Sequence, residues 1–241
     1  MQLCGRLVVQ IAGRRVEDAF PSRQGRLLFV YLAANRMRPI GRDELVDAIW
    51  GDGVPAAPDS ALNALMSKLR RAVGSEQIAA RGELRLVLPQ GAFVDLEAAA
   101  EAIHRAEAAV RREAWPEVWA PARVALHTAL RSFLPGEDGP WIEEWRRRLD
   151  ETAIRAYECV AASGLALGGT EFDSVKRSAN TLIERMPYRE SGYRYLMEAL
   201  HLEGNDAEAL VVFEQLRSLL RDELGTSPSA ATQELHRRLL R

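Results

Sequence analysis

The stretch Ala61–Gly74, "ALNALMSKLRRAVG", decides how the N-terminal part of the chain folds. Its apolar side chains recur every three or four residues, so a helix would place them on one face. That core stripe is expected to hold Leu62, Leu65, Leu69, Val73 and, at its margin, Met66. The opposite face is polar, and the function of the chain depends on whether that face binds DNA or only water.

The polar face has the chemistry of a helix that reads DNA. It carries Asn63, Ser67, Lys68 and Arg71, and Arg70 lies at its boundary with the core stripe. Arginine or lysine can pair with guanine acceptors and asparagine with adenine, whereas a boundary arginine suits a phosphate contact. In an isolated helix this pattern is more typical of solvated surface, so the interpretation depends on the flanking sequence.

The flanking sequence predicts a winged helix-turn-helix. Short strands are expected in residues 1–15, a first helix from Ser22 and a second in "GRDELVDAIWGDG", residues 41–53. After a proline-rich turn comes the quoted helix, and "QIAARGELRLVLPQG", residues 77–91, then alternates like a β-hairpin. In this fold the third helix enters the major groove and the hairpin wing lies on the DNA backbone.

Three further arginines are candidates for contacts to the DNA backbone. Arg42 stands at the start of the second helix, and Arg81 and Arg85 stand in the hairpin. Each of them could equally be an ordinary surface arginine.

The rest of the chain is expected to be all helical, with repeats of the tetratricopeptide type. Amphipathic segments separated by short breaks cover 95–114, 117–133, 141–167, 171–186, 189–203, 206–223 and 229–240. Paired helices with short breaks are typical of a repeat array, and the alternative is a non-repeat bundle. The fold class is therefore mainly α with small β, in two domains, 1–94 and 95–241.

Charge is distributed unevenly along the chain, whose formal net charge is -2. Residues 1–97 carry 13 Lys and Arg against 11 Asp and Glu, and residues 60–85 carry five against two. A local basic face on an acidic protein favours a sequence reader over a nonspecific nucleic-acid coat, because phosphate attraction follows local charge.

The sequence contains no pattern of catalytic or metal-binding residues. It has no GxxxxGK loop, no G-x-S-x-G elbow, and its four histidines lack metal-ligand spacing. Its two cysteines form no CxxC pair, and no apolar run is long enough to span a membrane. We therefore expect a cytoplasmic protein that is not an enzyme and needs no cofactor.

Both halves of the chain carry distinctive motifs. The C-terminal residues 189–240 carry "Y--LM-AL---G---EAL--F" followed by "L-DELG--PS----LH-RLL", which resembles the bacterial transcriptional activation domain. The N-terminal half carries "RDELVDAIWGDGVP" followed by "ALNALMSKLRRAVG". Together the two halves resemble the actinobacterial regulators called Streptomyces antibiotic regulatory proteins, and the similarity covers nearly the whole chain in the domain order of the family.

The resemblance implies a transcriptional activator. Members of the family bind direct repeats in double-stranded promoter DNA, usually side by side, and contact RNA polymerase holoenzyme. A homodimer, at least on DNA, is the expected assembly.

Two alternatives remain open. The first is a protein-interaction scaffold with a degenerate winged helix, which Glu83 favours because the family usually has Gly-Tyr-Arg-Leu where this chain has "ELRL". The second is the regulatory part of a longer ATP-dependent regulator.

Overall fold

The computed structural model describes residues 1–81 and 83–241, except for the side chains of residues 80, 81 and 83. This part of the chain forms two compact units. The first comprises residues 1–98 and 131–148, and the second comprises residues 99–130 and 149–241. The domain boundary predicted at 94/95 stays a prediction. The two compact units each combine two separate segments of the chain, whereas the sequence motifs divide the chain at one point.

The first unit is the winged helix-turn-helix that the sequence predicts. Its elements are β1 (Gln10–Ile11), β2 (Arg14–Arg15), α1 (Arg23–Ala34), α2 (Arg42–Trp50), α3 (Pro58–Val73), β3 (Ile78–Arg81) and β4 (Glu83–Leu86). β1 pairs with β2 and β3 with β4, both antiparallel. Ile40 and Leu84 exchange two backbone hydrogen bonds of 2.9 Å, which attach the β3–β4 wing to the segment before α2.

Both ends of α3 follow from local chemistry. Pro58 suits the first position because its missing N–H would have no partner inside the helix there. Gly74 stops the helix at a φ of 102°, where an L side chain would be strained, and donates its N–H to the carbonyl of Arg70 at 2.9 Å. Asp59 in the first turn and the arginines of the last turn complement the helix dipole.

The buried stripe of α3 differs in one respect from the expected one. Met66 is buried with Leu62, Leu69 and Val73, at 3% exposure, whereas Leu65 is only half-buried. On a wheel of 100° per residue these four buried side chains span about 60°. Leu65 lies outside that arc, so the centre of the buried stripe lies closer to Met66 than the sequence pattern predicts.

Residues 131–148 complete the first unit through a buried carboxylate. Glu137 is 4% exposed and accepts hydrogen bonds from Arg23 Nε at 2.6 Å and from Arg26 Nη2. Farther along, the indole N–H of Trp141, in α6 (Pro140–Leu167), donates to the carbonyl of Ala48 at 2.9 Å. These contacts attach residues distant in sequence to α1 and α2.

A second buried carboxylate secures the N-terminal strand region. Asp95, the first residue of α4 (Asp95–Arg111), is 1% exposed and accepts the backbone N–H of Leu3 at 2.9 Å and of Cys4 at 3.0 Å. A buried carboxylate is tolerated because such bonds replace its water shell. Burial also raises the pKa of the Cys4 thiol to about 12, so this thiol stays protonated at neutral pH.

The second unit is built from helices that pack in consecutive pairs. Besides most of α4 and α6, it contains α5 (Trp119–Ala129), α7 (Phe172–Arg185), α8 (Glu190–Leu202), α9 (Asp206–Leu224) and α10 (Ala230–Leu239). The predicted fold class, mainly α with a winged helix-turn-helix and tetratricopeptide-like helices, is confirmed.

The repeat signature in α8 and α9 forms a continuous core. Its buried members are Tyr193, Met197, Leu200, Ala209, Val212, Phe213, Leu216 and Leu220, joined by Leu235 and Leu239 of α10. Phe213 also stacks on His236 with ring centroids 3.8 Å apart. Gly192 allows α7 and α8 to approach closely, because a Cβ there would lie 3.0 Å from the Cβ of Leu182. Small and large side chains thus alternate as helix pairing requires.

Glu190 joins the start of α8 to the start of α10. Its carboxylate accepts the backbone N–H of Ser229 at 2.9 Å, the Ser229 hydroxyl at 2.6 Å and the Thr232 hydroxyl. Burial raises the pKa of this carboxyl, but the hydrogen bonds from Ser229 and Thr232 outweigh that effect and hold its pKa below the ordinary value of 4.5.

We therefore expect the stabilisation by Glu190 to depend on pH. Because the pKa is lower in the folded state, the unfolded chain binds more protons, and the contribution is fully present above pH 4.5. It disappears as the pH falls through the folded-state pKa. Thermal unfolding followed by circular dichroism should show that Glu190→Gln lowers Tm at pH 7 and has progressively less effect towards pH 3.

The matched control is Glu214→Gln, which changes a half-exposed carboxylate of α9 paired with Arg217. Such a surface pair contributes little, so its Tm should stay close to that of the unmodified chain throughout. An equal loss of Tm for Glu190→Gln at every pH would contradict the proposed linkage.

Candidate nucleic-acid interface

The outward face of α3 carries the polar side chains singled out in the sequence. Asn63, Ser67, Lys68 and Arg71 are exposed, and Arg70 is half-buried at the edge of the face. They are exposed because the narrow apolar stripe packs in the core and leaves the rest of the helix circumference towards solvent. The structure therefore groups these five residues along one side of a single rigid element.

Lys68 and Arg71 line a shallow cleft beside α3. Ala19, Pro21 and Ala72 form the rest of its wall, and its volume is about 470 Å³. Neither cation forms an ion pair or a side-chain hydrogen bond with any residue in the described part of the chain. Two unneutralised cations side by side attract an anion such as a phosphate.

Arg42 has a different environment from these two residues. Its Nη2 donates to Asn63 Oδ1 at 2.9 Å, and its Nε lies 3.2 Å from Asp59 Oδ1. The guanidinium group therefore spans from the start of α2 to the first turns of α3. Arg42 and Asn63, predicted separately, form one connected unit.

The arginines of the α1–α2 connection are neutralised. Arg36 pairs with Glu97 through two hydrogen bonds of 2.5 Å, and Arg38 pairs with Glu44. Burial, and then the hydrogen bond to Glu44, also raise the pKa of Tyr31 to about 12. Because these arginines are paired, the unpaired cations Lys68 and Arg71, judged against the described residues, lie on α3.

Of the two wing arginines predicted to contact DNA, only Arg85 has a described side chain. Arg85 is exposed, but its Nε donates to the carbonyl of Arg36 at 2.9 Å, which fixes it beside the α1–α2 connection. The side chain of Arg81 lies outside the described residues, as does that of Glu83. A contact of Arg81 with the DNA backbone stays a prediction.

Sequence reasoning missed Asp59 and the two residues that close the cleft. Asp59 and Asn63 are four residues apart, so they share a side of α3, and this spacing was a usable signal. Their common partner Arg42 comes from another helix, which no local pattern reveals. Ala19 and Pro21 carry no charge or motif that could have marked them.

A family model for the bacterial transcriptional activator domain matches residues 94–240. The chain belongs to this family. The matched region contains all the helices from α4 to α10, including the segment 131–148 that packs in the first unit.

Curated relatives of this activator-domain protein are transcriptional and regulatory proteins. The transcriptional regulatory protein EmbR of Mycobacterium tuberculosis is 27% identical over 99% of this chain and 62% of its own length. The regulatory protein AfsR of Streptomyces coelicolor is 32% identical over 91% of this chain and 22% of its own length. The chain thus spans under two thirds of the length of each relative. The predicted kinship with the Streptomyces antibiotic regulatory proteins is confirmed.

The fold of the activator-domain chain has a solved counterpart. The structure of Mycobacterium tuberculosis EmbR in complex with a low-affinity phosphopeptide superimposes with a TM-score of 0.83 at 24% identity. It covers 99% of this chain and 64% of the EmbR chain, which supports the fold alone. Within the described residues, every helix is too short or too polar to cross a membrane.

The division of α3 into a buried and an outward face is open to a direct stability test. Met66→Ala should lower the free energy of unfolding by about 2–5 kcal/mol because it leaves a cavity in the core. Lys68→Ala, two residues away, should change it by about 0.5 kcal/mol or less. Chemical denaturation of both variants measures the difference, and similar losses would contradict the assignment of faces.

Proposed function

We propose that this chain is a sequence-specific DNA-binding transcriptional regulator in which α3 enters the major groove. The observation that carries the proposal is the outward face of α3. There Asn63 and Ser67 offer hydrogen bonds to base edges, next to the unpaired Lys68 and Arg71. Arg70, Arg81 and Arg85 are proposed as contacts to the DNA backbone.

The charge distribution supports this proposal over a purely structural role for the face. Several other arginines of the helix-turn-helix have carboxylate partners, as Arg36 has Glu97 and Arg38 has Glu44. Lys68 and Arg71 have none among the described residues, although the chain has more acidic than basic groups. Unpaired cations on a groove-sized helix are suited to release counterions from DNA.

The proposal extends to activation. Kinship with transcriptional regulators supports a chain that binds direct repeats near a promoter, as a homodimer at least on DNA, and contacts RNA polymerase holoenzyme. The proposed surface for a protein partner is an open groove of about 480 Å³ in the second unit, lined in part by Leu196, Leu200, Val211 and Val212. Val211 is 57% exposed there.

That groove also supports the alternative of an interaction scaffold. If the outward face of α3 were only solvated surface, the helical unit would be the functional half. Footprinting of the purified chain on DNA upstream of its own and neighbouring genes separates the two functions. Protection of two direct repeats about one helical turn apart supports the regulator, and the absence of protection even at low salt supports the scaffold.

The unpaired cations of α3 should control DNA affinity without controlling stability. Lys68→Ala and Arg71→Ala are each expected to weaken binding to a protected site by about 1–3 kcal/mol. A residue that contacts phosphate should also reduce the slope of log affinity against log salt by about one. Fluorescence anisotropy at several salt concentrations measures both quantities.

Arg217→Ala is the matched control, since it removes an exposed arginine of the second unit that pairs with Glu214. Its DNA affinity and salt slope should equal those of the unmodified chain. If Lys68→Ala and Arg71→Ala behaved like this control, α3 would not be the DNA-binding element.

A further inference from the structure

The contact between Arg42 and Asn63 fixes the orientation of the Asn63 amide. Arginine has only hydrogen-bond donors, so the group 2.9 Å from Arg42 Nη2 must be the amide oxygen, Oδ1. The amino group, Nδ2, is then the end of the amide left for another partner. Asn63 is exposed, so this amino group is available to a ligand lying on α3.

Arg42 is itself held in place by Asp59. Its Nε lies 3.2 Å from Asp59 Oδ1, and the Arg42 side chain is 37% exposed. The carboxylate and the amide oxygen occupy two of the five guanidinium N–H groups. One of the remaining N–H groups is on Nη2 itself, the nitrogen that contacts the Asn63 amide, so the pair offers hydrogen-bond donors to a ligand.

This arrangement changes the base that Asn63 is suited to read. Asparagine recognises adenine by accepting from N6 with its oxygen while donating to N7. Here one lone pair of that oxygen already accepts from a cation, and the positive charge of Arg42 disfavours the approach of the adenine N6 amino group to the second lone pair. Guanine presents two acceptors, N7 and O6, in the major groove, and a cluster of donors with a positive charge complements both.

We propose that Arg42 is a specificity-determining residue: by holding the amide oxygen of Asn63, it makes the Arg42–Asn63 pair read guanine rather than adenine. The inference rests on the proposed function, since it requires α3 to lie in the major groove. The inference also gives Arg42 a role different from that of Lys68 and Arg71, whose unpaired charges suit contacts to phosphates. Arg42 acts on sequence preference, and these two residues act on overall affinity.

The test is a selection from double-stranded oligonucleotides with a randomised core, using the full chain and its variants. The unmodified chain should prefer guanine over adenine about 5- to 100-fold at one position of the site. Asn63→Ala should abolish the preference at that position alone. Arg42→Ala should reduce it at least several-fold or turn it towards adenine, because the amide is then free to rotate.

Arg42→Lys keeps the experiment decisive if Arg42→Ala fails to fold. Lysine keeps the positive charge but lacks the planar group that spans Asp59 and Asn63. It should therefore lose the guanine preference while keeping the salt dependence of binding. Thermal unfolding of each variant verifies that the protein tested is folded.

The outcomes separate this inference from the proposed function. Binding with an unchanged guanine preference in folded Arg42→Ala or Arg42→Lys, or an adenine preference in the unmodified chain, overturns the role of Arg42 alone. A change confined to the salt slope also overturns it, because Arg42 would then contact only phosphate. Failure of the unmodified chain to bind any DNA at low salt overturns the proposed function as well.

Discussion

The burial of one narrow stripe of α3 is the constraint on which the rest of the proposed site depends. Leu62, Met66, Leu69 and Val73 lie within about 60° of the helix circumference, and all four are buried. Their packing fixes the rotation of α3, so Asn63, about 90° from the centre of the stripe, faces outward. A rotation by one residue would bury Lys68 or Arg70, and an unpaired buried charge costs several kcal/mol.

In the first unit, carboxylates neutralise some arginines, whereas other cations have no ion-pair partner among the described residues. Arg36 and Arg38 each have a glutamate partner, whereas Lys68 and Arg71 have no partner among the described residues. A chain of net charge -2 can thus present a local positive surface without being basic overall. Such a surface would attract the proposed DNA partner at short range only, since charges more than about 8 Å apart are largely screened in physiological salt.

The sequence predicted the elements well because their signals are local. Helical periodicity and Gly74 at the end of α3 can be read within a few residues, and the structure has the helix there. Pro58, which the sequence pattern assigns to the preceding turn, is the first residue of the helix. The sequence pattern overestimates the burial of Leu65 and places Met66 only at the margin, because it centres the stripe on Leu62. The partners that define its centre lie in other helices. Likewise, nothing local to Arg42 reveals its bonds to Asp59 and Asn63, which lie 17 and 21 residues away.

The contact of Glu137 with α1 shows why such long-range pairs matter. The first turn of α1 contains no acidic residue, and Arg23 and Arg26 near that end oppose the helix dipole. Glu137 supplies the missing negative charge from 114 positions away, buried against both arginines. Since Glu137 lies within the region matched by the activator-domain family, a helix of the winged helix-turn-helix depends on a residue of that region. α1 in turn packs against α3, so the positioning of the proposed reading helix depends in part on a carboxylate outside the helix-turn-helix sequence.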